Sequence, residues 1–288
     1  TSTGYDQDVW KDMVEMGWSG IALPDLVGGA GLNVGSAVPV FEALGYGLLG
    51  TPLLSTTLAG QLIWRAAGES SAFYLRRLCG GEVATVAFLD NSDWGASNCN
   101  VIIENSGCFV GRKHFVPDAS VAQLFAVLVT YSGEPAIALV DRSSLPADAI
   151  SANACIDLTK RSANVDFTGV EPNEVLRGES VTSALQDFRL LGALFVSAET
   201  VGAAGRTLST IVEYLKTRKQ FGKHIGSYQA LKHPTVEIYV GMENARSLIY
   251  HGATIVGEAT LSDEADIACR MSKISSDHVM LFAGDRSV

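Results

Sequence analysis

Over residues 181–217, apolar side chains return at three- and four-residue steps: Leu190, Leu191, Leu194, Phe195, Ala198, Val201, Gly202, Leu208, Ile211, Val212 and Leu215. That spacing draws one broad stripe along a helix and predicts a long element with a wide buried face. The same period returns over about 229–257 and again from about Ser262 onward. Pro234 falls early in the second of these helices, near the first turn, where a missing N–H costs little. At the front, Val9, Trp10, Met13, Val14 and Met16 open an amphipathic helix almost at once. Helical patterning then continues to about Gly81, with Gly and Pro gathered mainly in connections at 24–35 and 50–52.

Between these stretches the period changes. Val83-Ala84-Thr85-Val86-Ala87-Phe88, Cys108-Phe109-Val110, Leu124-Phe125-Ala126-Val127-Leu128-Val129 and Ala136-Ile137-Ala138-Leu139-Val140 are short runs bounded by turn residues. They predict strands, and 141–149, with Ser143, Ser144 and Pro146, predicts a loop. Helices, then strands, then helices define an α+β multidomain chain. Its expected parts are an N-terminal helical domain over 1–81, a middle antiparallel β-domain over 82–176 and a C-terminal helical bundle over 177–288. The chain enters its first helix at once and stops inside a helical pattern at 279–288, so both ends are expected to be cut and the bundle incomplete. There is no internal repeat and no low-complexity tract.

Composition narrows the function classes. A chain of 288 residues with 47% hydrophobic content is globular and large enough for about two domains. Its net charge of −10 argues against a nucleic-acid groove or an anionic membrane surface, both of which attract clustered Lys and Arg. Cys79, Cys99, Cys108, Cys155 and Cys269 are scattered without metal-ligand spacing, and their odd number favours free thiols in a reducing cytosol. No signal peptide and no apolar run long enough to span a bilayer is expected. The nearest approach, 48–63, is interrupted by Thr51, Pro52, Ser55, Thr56, Thr57 and Gln61. The expectation is a cytoplasmic protein with no metal site, no nucleic acid and no membrane partner.

Several chemical signatures are excluded on context. His224 and His233 lack acidic or sulfur partners at metal-ligand spacing. Gly28-Gly29-Ala30-Gly31 has no preceding strand in a βαβ unit and no following Lys-Ser/Thr, so it is not a P-loop. No nucleophile-elbow signature appears.

One segment stands out. Near the end of the long helix lies Arg218-Lys219-Gln220-Phe221-Gly222-Lys223, followed by Tyr228-Gln229-Ala230 at the opening of the next helical run. A guanidinium offers a planar fork to two phosphate oxygens and an ammonium only a point charge, so Arg218 suits a diphosphate better than Lys219 does. Phe221 can lie against a flat nucleotide, and Gly222 lets the chain turn without a Cβ. The competing reading is a plain helix end, with basic residues complementing the macrodipole and Gly222 as C-cap.

Further segments follow in a fixed order. Gly17-Trp18-Ser19-Gly20-Ile21-Ala22-Leu23-Pro24-Asp25 and Gly28-Gly29-Ala30-Gly31-Leu32 lead to Phe41-Glu42-Ala43-Leu44-Gly45. Leu158 to Val170 come next, and Glu243-Asn244-Ala245-Arg246 follow the basic segment. In order and spacing, over nearly the whole chain, these resemble the acyl-CoA dehydrogenase family. The resemblance implies a C-terminal four-helix-bundle domain, truncated here, and FAD as cofactor. It implies an oxidoreductase that removes an α-proton with a carboxylate and a β-hydride with flavin N5 from an acyl-CoA, with electron-transferring flavoprotein as electron partner. It also makes Arg218, Gln220, Phe221, Gly222 and Gln229 the cofactor-binding residues, reaching into the flavin site of a neighbouring subunit.

The departures from the family pattern carry as much information. Where the family strand reads Trp-Ile-Thr/Ser-Asn beside the flavin ring, this chain has Phe115-Val116-Pro117-Asp118, and Pro117 offers neither a hydroxyl nor an N–H. The preceding family strand and turn correspond to Ala87-Phe88-Leu89-Asp90-Asn91-Ser92-Asp93-Trp94-Gly95, without the expected hydroxyl and turn residues. One family position for the catalytic base falls on about Gly192, beside Ala193, and Glu199 lies two turns further along. The other lies beyond Val288, so no catalytic residue is assigned.

An eroded cradle beside an intact reaching segment resembles one half of the paired-subunit α2β2 acyl-CoA dehydrogenases of actinobacterial steroid side-chain oxidation. The expectation is a subunit, inactive alone, that supports the flavin site of a catalytic partner acting on an acyl-CoA of that kind. Two alternatives stay open: an active homotetramer whose base lies beyond Val288, and a structural or thioester-binding paralogue without flavin contact.

Overall fold

The computed structural model describes residues 4–93, 99–104, 106–257 and 260–288. The chain forms two compact units: Thr1–Leu32 with Gly50–Phe188, and Asn33–Leu49 with Arg189–Val288.

In the first unit, helix α1 (Gln7–Glu15) is started by Asp6, whose carboxylate accepts the N–H groups of Asp8 and Val9. It buries Trp10 and Met13, and the Trp10 indole donates to the Gly81 carbonyl at 2.9 Å. Met16 follows the last helical residue and is exposed. In the second unit, α2 (Val38–Gly47) ends at left-handed Leu48. Pro52 starts α3 (Leu53–Ala67), which with α4 (Ala72–Cys79) returns to the first unit. The apolar run 48–63 is therefore broken by the backbone itself. Three of its polar side chains find partners, since Ser55 donates to Asp118, Gln61 to the Ala22 carbonyl, and Thr56 accepts from the Ala84 N–H, whereas the buried Thr51 and Thr57 hydroxyls have none.

Among the described residues nine strands follow: β1 (Ala84–Ala87), β2 (Ile102–Ile103), β3 (Phe109–Val110), β4 (Arg112–Pro117), β5 (Leu124–Tyr131), β6 (Glu134–Asp141), β7 (Ile150–Ala152), β8 (Ser162–Asp166) and β9 (Glu174–Leu176). One sheet runs β3-β2-β5-β6-β9, with β1 also on β5, and a second runs β4-β8-β7. The pairings are antiparallel except that β1 and β2 join successive parts of β5 in parallel. Strands β5 and β6 are nearly continuous apolar runs and lie buried, as strands covered on both faces do. Leu62, Ile63, Leu75 and Leu78 from the helices meet Leu124, Ala126, Ile137 and Leu139 from the sheet in one core.

The long stripe becomes α5 (Glu179–Thr217), followed by a ribbon of β10 (Lys219–Gln220) and β11 (Lys223–His224), then α6 (Gln229–Ile255) and α7 (Asp263–Arg286). Ser262 caps α7 through the Ala265 N–H. The order of N-terminal helices, central sheets and C-terminal helices is the one predicted.

Two expectations need correction. Pro234 lies six residues into α6, past the first turn, so it removes an interior helical hydrogen bond and leaves the Ala230 carbonyl without its i+4 donor. And α5 is long and apolar enough to cross a membrane by length and composition, although half of that stretch is buried within the protein. Its mixed burial arises because Leu190, Leu191, Leu194, Phe195, Ala198 and Val201 all face the core.

Candidate functional site

The basic segment is a hairpin. Helix α5 ends at Thr217, before the motif begins, and β10 and β11 pair Lys219 with His224 and Gln220 with Lys223. The two residues between them, Phe221 and Gly222, have φ of 52° and 79°. Two successive positive values are what a type I′ turn requires, and they match the twist of the flanking strands. Gly222 takes that conformation without penalty, so its role is in the hairpin turn and the C-cap reading of it falls. Phe221 is an aromatic residue held in left-handed backbone, which disfavours it by roughly 1–2 kcal/mol, and its side chain is 89% exposed. Phe221 is thus a strained and exposed position at the tip of the hairpin.

Arg218 is anchored on both sides of its backbone. Its N–H donates to the Tyr214 carbonyl at 3.0 Å, and its own carbonyl accepts the Ile225 N–H at 2.9 Å. Its guanidinium lies over the Tyr214 ring at 5.7 Å, and the Lys223 ammonium lies over Tyr228 at 4.3 Å. Among the described residues no carboxylate pairs with Arg218. From 216 to 233 the sequence holds Lys216, Arg218, Lys219, Lys223 and Lys232 and neither Asp nor Glu, a local positive field in a chain of net charge −10. Gln229 is exposed as the first residue of α6. All five sequence-predicted residues, Arg218, Gln220, Phe221, Gly222 and Gln229, are thus exposed on one short hairpin and the helix start after it. Tyr214 was missed, although its place four residues before Arg218 on a helix signals a facing pair.

The strand that resembles the flavin-facing one is β4, in the other unit. Opposite Asn164 of β8 it sets two residues, His114 and Phe115, so the ladder bulges and Phe115 is forced to a φ of 49°. Several polar groups of β4 are already bonded. The Phe115 N–H donates to the Asn164 amide oxygen, the His114 N–H to the Leu89 carbonyl, and the Pro117 carbonyl accepts the Thr85 hydroxyl at 2.6 Å. Asp118 is held by Ser55 and by Arg161. Lys113 is fully buried, paired with Asp90 and donating to the Phe88 carbonyl. A flavin ring needs hydrogen-bond donors aimed at it; the His114 and Phe115 N–H groups are committed and Pro117 has none, so these three residues offer no free main-chain donor for that role. Trp94 and Gly95, read as part of the preceding turn, lie outside the described residues.

No carboxylate stands at Gly192 or Ala193 on α5. Glu199 lies on the α5 stretch whose backbone carbonyl packs against Gly45. Among the described residues there is no cluster of His, Cys, Asp or Glu able to hold a metal.

These features place the chain among known proteins. The profile "Acyl-CoA dehydrogenase, N-terminal domain" matches residues 1–82 and "Acyl-CoA dehydrogenase, C-terminal domain" matches residues 181–288. A relative, Acyl-CoA dehydrogenase IpdE2 of Mycobacterium tuberculosis, is 30% identical over 98% of this chain and 76% of its own length. Among solved structures, a variant of the Tcur3481-Tcur3483 steroid ACAD superposes with a TM-score of 0.85 at 25% identity, covering 100% of this chain and 78% of that one. The ChsE4-ChsE5 complex from Mycobacterium tuberculosis shares the fold, with a TM-score of 0.83 at 23% identity and coverage of 99% and 77%. The chain belongs to the acyl-CoA dehydrogenase family, whose members are flavin-dependent oxidoreductases.

Proposed function

We propose that this chain is the supporting subunit of a heteromeric acyl-CoA dehydrogenase, completing the flavin site of a catalytic partner. The observation that carries it is a contrast. The hairpin offers a guanidinium without a carboxylate partner and an exposed aromatic ring, while the Phe115 N–H and the Pro117 carbonyl of the chain's own flavin-facing strand are already bonded. Bound FAD would supply the hydride acceptor, and this chain's part is to bind and orient. Arg218 presents its fork to the diphosphate, Phe221 lies against the nucleotide, and Gln220 and Gln229 donate and accept at its edges. The assembly proposed is an α2β2 heterotetramer in the cytoplasm, passing electrons to electron-transferring flavoprotein. A bulky steroid acyl-CoA is the proposed substrate, supported by the likeness to a structure described as a steroid ACAD.

The test is the visible spectrum of the chain purified alone and co-purified with a catalytic acyl-CoA dehydrogenase subunit that it binds. Flavin retained only in the complex is the expected result. Stoichiometric flavin on the isolated chain, with acyl-CoA oxidation using an artificial electron acceptor, would replace this reading by the active homotetramer. Flavin in the complex that is indifferent to Arg218→Ala would leave a structural paralogue.

A further inference from the structure

The hairpin contains a device that the family assignment does not specify. Tyr214 sits on the last turn of α5, four residues before Arg218, where two side chains on a helix face each other. The ring is 51% exposed, and the Arg218 guanidinium lies over it at 5.7 Å. An arginine just past a helix end would otherwise sample many rotamers, with about 2 kcal/mol of side-chain entropy to lose on binding. A guanidinium over an aromatic face uses its π-surface, and the N–H donors around its edge stay available. Lys223 is different. Its compact ammonium, 4.3 Å from the Tyr228 ring, is committed to holding β11 against the start of α6.

We propose that Tyr214 is a positioning residue that holds the Arg218 fork edge-outward for the diphosphate of a dinucleotide bound on a partner subunit. This rests on the function proposed above, and two measurements separate them. The first uses the chain alone: the heteronuclear NOE of the Arg218 Nε–H reports the mobility of that one side chain. Wild type and Tyr214→Phe, which keeps the ring, should be alike and restrained, and Tyr214→Leu should be mobile. The second uses the complex with the catalytic subunit and reads flavin dissociation by fluorescence. Tyr214→Leu should weaken flavin by about two- to fivefold, the scale of one exposed cation–π contact, and Tyr214→Phe should restore it. On an Arg218→Ala background Tyr214→Leu should add nothing, because a residue acting only through Arg218 has nothing left to position.

Equal Arg218 mobility in all three chains, or a Tyr214→Leu loss that adds in full to that of Arg218→Ala, would overturn the positioning role while leaving the proposed function standing. If Arg218→Ala itself leaves flavin affinity unchanged, the proposed function falls, and the positioning role falls with it even where the NOE shows the contact.

Discussion

Gly202→Ala and Gly205→Ala, three residues apart on the same helix, should shift stability in opposite directions. A Cβ at Gly202 would lie 1.9 Å from the Glu42 carbonyl oxygen and 2.7 Å from the Tyr46 nitrogen, where real contacts stop near 3.0 Å. The approach is reciprocal, since a Cβ at Gly45 would lie 1.8 Å from the Glu199 oxygen. Moving from 1.9 to 3.0 Å separates α2 from α5 by about 1.1 Å, and the obstacle is backbone, which cannot rotate away. The shift would loosen the Phe41–Phe195 ring pair at 4.7 Å and the Glu42 carboxylate, which accepts from Arg246 at 2.8 Å and Tyr250 at 2.9 Å. Overpacking of this kind costs about 3 kcal/mol, offset by about 1 kcal/mol from replacing a helical glycine, for a net loss of about 2 kcal/mol.

At Gly205 the new methyl would meet the Met242 sulfur at 3.5 Å and the Tyr46 ring at 3.6 Å, both ordinary side-chain contacts. Gly205→Ala should therefore keep the propensity gain of up to about 1 kcal/mol. Urea unfolding followed by circular dichroism at 222 nm measures both. Tryptophan fluorescence supplies an internal control, because all four tryptophans fall in sequence stretches of the first unit. Equal midpoints for the two variants would refute the close crossing of α2 and α5.

Three more outcomes are expected. Asp187→Ala removes the carboxylate 2.6 Å from the Arg65 guanidinium in a pair exposed only 4% and 3%; it should cost about 3–5 kcal/mol, and the double change Arg65→Met with Asp187→Leu should recover most of it in a thermal melt. Burial pushes the Cys79 thiol up to about 11 from 9.0, so at pH 8 iodoacetamide should label it about a hundredfold more slowly than a free cysteine, read by mass spectrometry of the native chain. Hydrogen bonds from the Thr159 hydroxyl and N–H hold the Asp157 carboxyl below the usual aspartate range. A lowered folded value means that the stabilisation of this loop is present above the unfolded pKa and is lost as pH falls through the folded one. In an NMR titration Thr159→Val should move the Asp157 midpoint upward; an unmoved midpoint would remove the hydroxyl from the account.

What the sequence displays depends on whether a side chain answers to its own element or to a distant one. The stripe of α5 and the starts of α6 and α7 are legible because their apolar residues all answer to one local period, and the observed ends differ from the pattern by a residue or two. Strands β5 and β6 are legible as uninterrupted apolar runs. Strand β4 escapes pattern reading because Arg112, Lys113 and His114 look like a surface, whereas Lys113 is buried by its pairing with Asp90, 23 residues away; only the family resemblance located it. The parallel joining of β1 to β5 is set by chain path, which side-chain periodicity does not encode. The hairpin of β10 and β11 is illegible for a different reason. Its strands are two residues long and polar, and Phe-Gly lacks the usual Asn-Gly or Asp-Gly signal of such a turn.

That illegibility bears on the proposed division of labour. A segment can serve a ligand only with the groups that its own folding leaves unused. In β4 the bulge at Phe115 is closed by Asn164, the Pro117 carbonyl by Thr85, and the buried ammonium of Lys113 by Asp90, so these groups are taken up in holding their own unit together. In the hairpin the order is reversed. Phe221 at positive φ, its ring 89% exposed, and the Arg218 guanidinium without a carboxylate partner do little for folding. Conflicts between local preference and structure are expected where a site requires them. An anionic, flat group approaching from outside the chain would neutralise the clustered charge and cover the exposed ring. A dinucleotide held by another subunit meets each of those conditions, and a solvated helix terminus meets none of them.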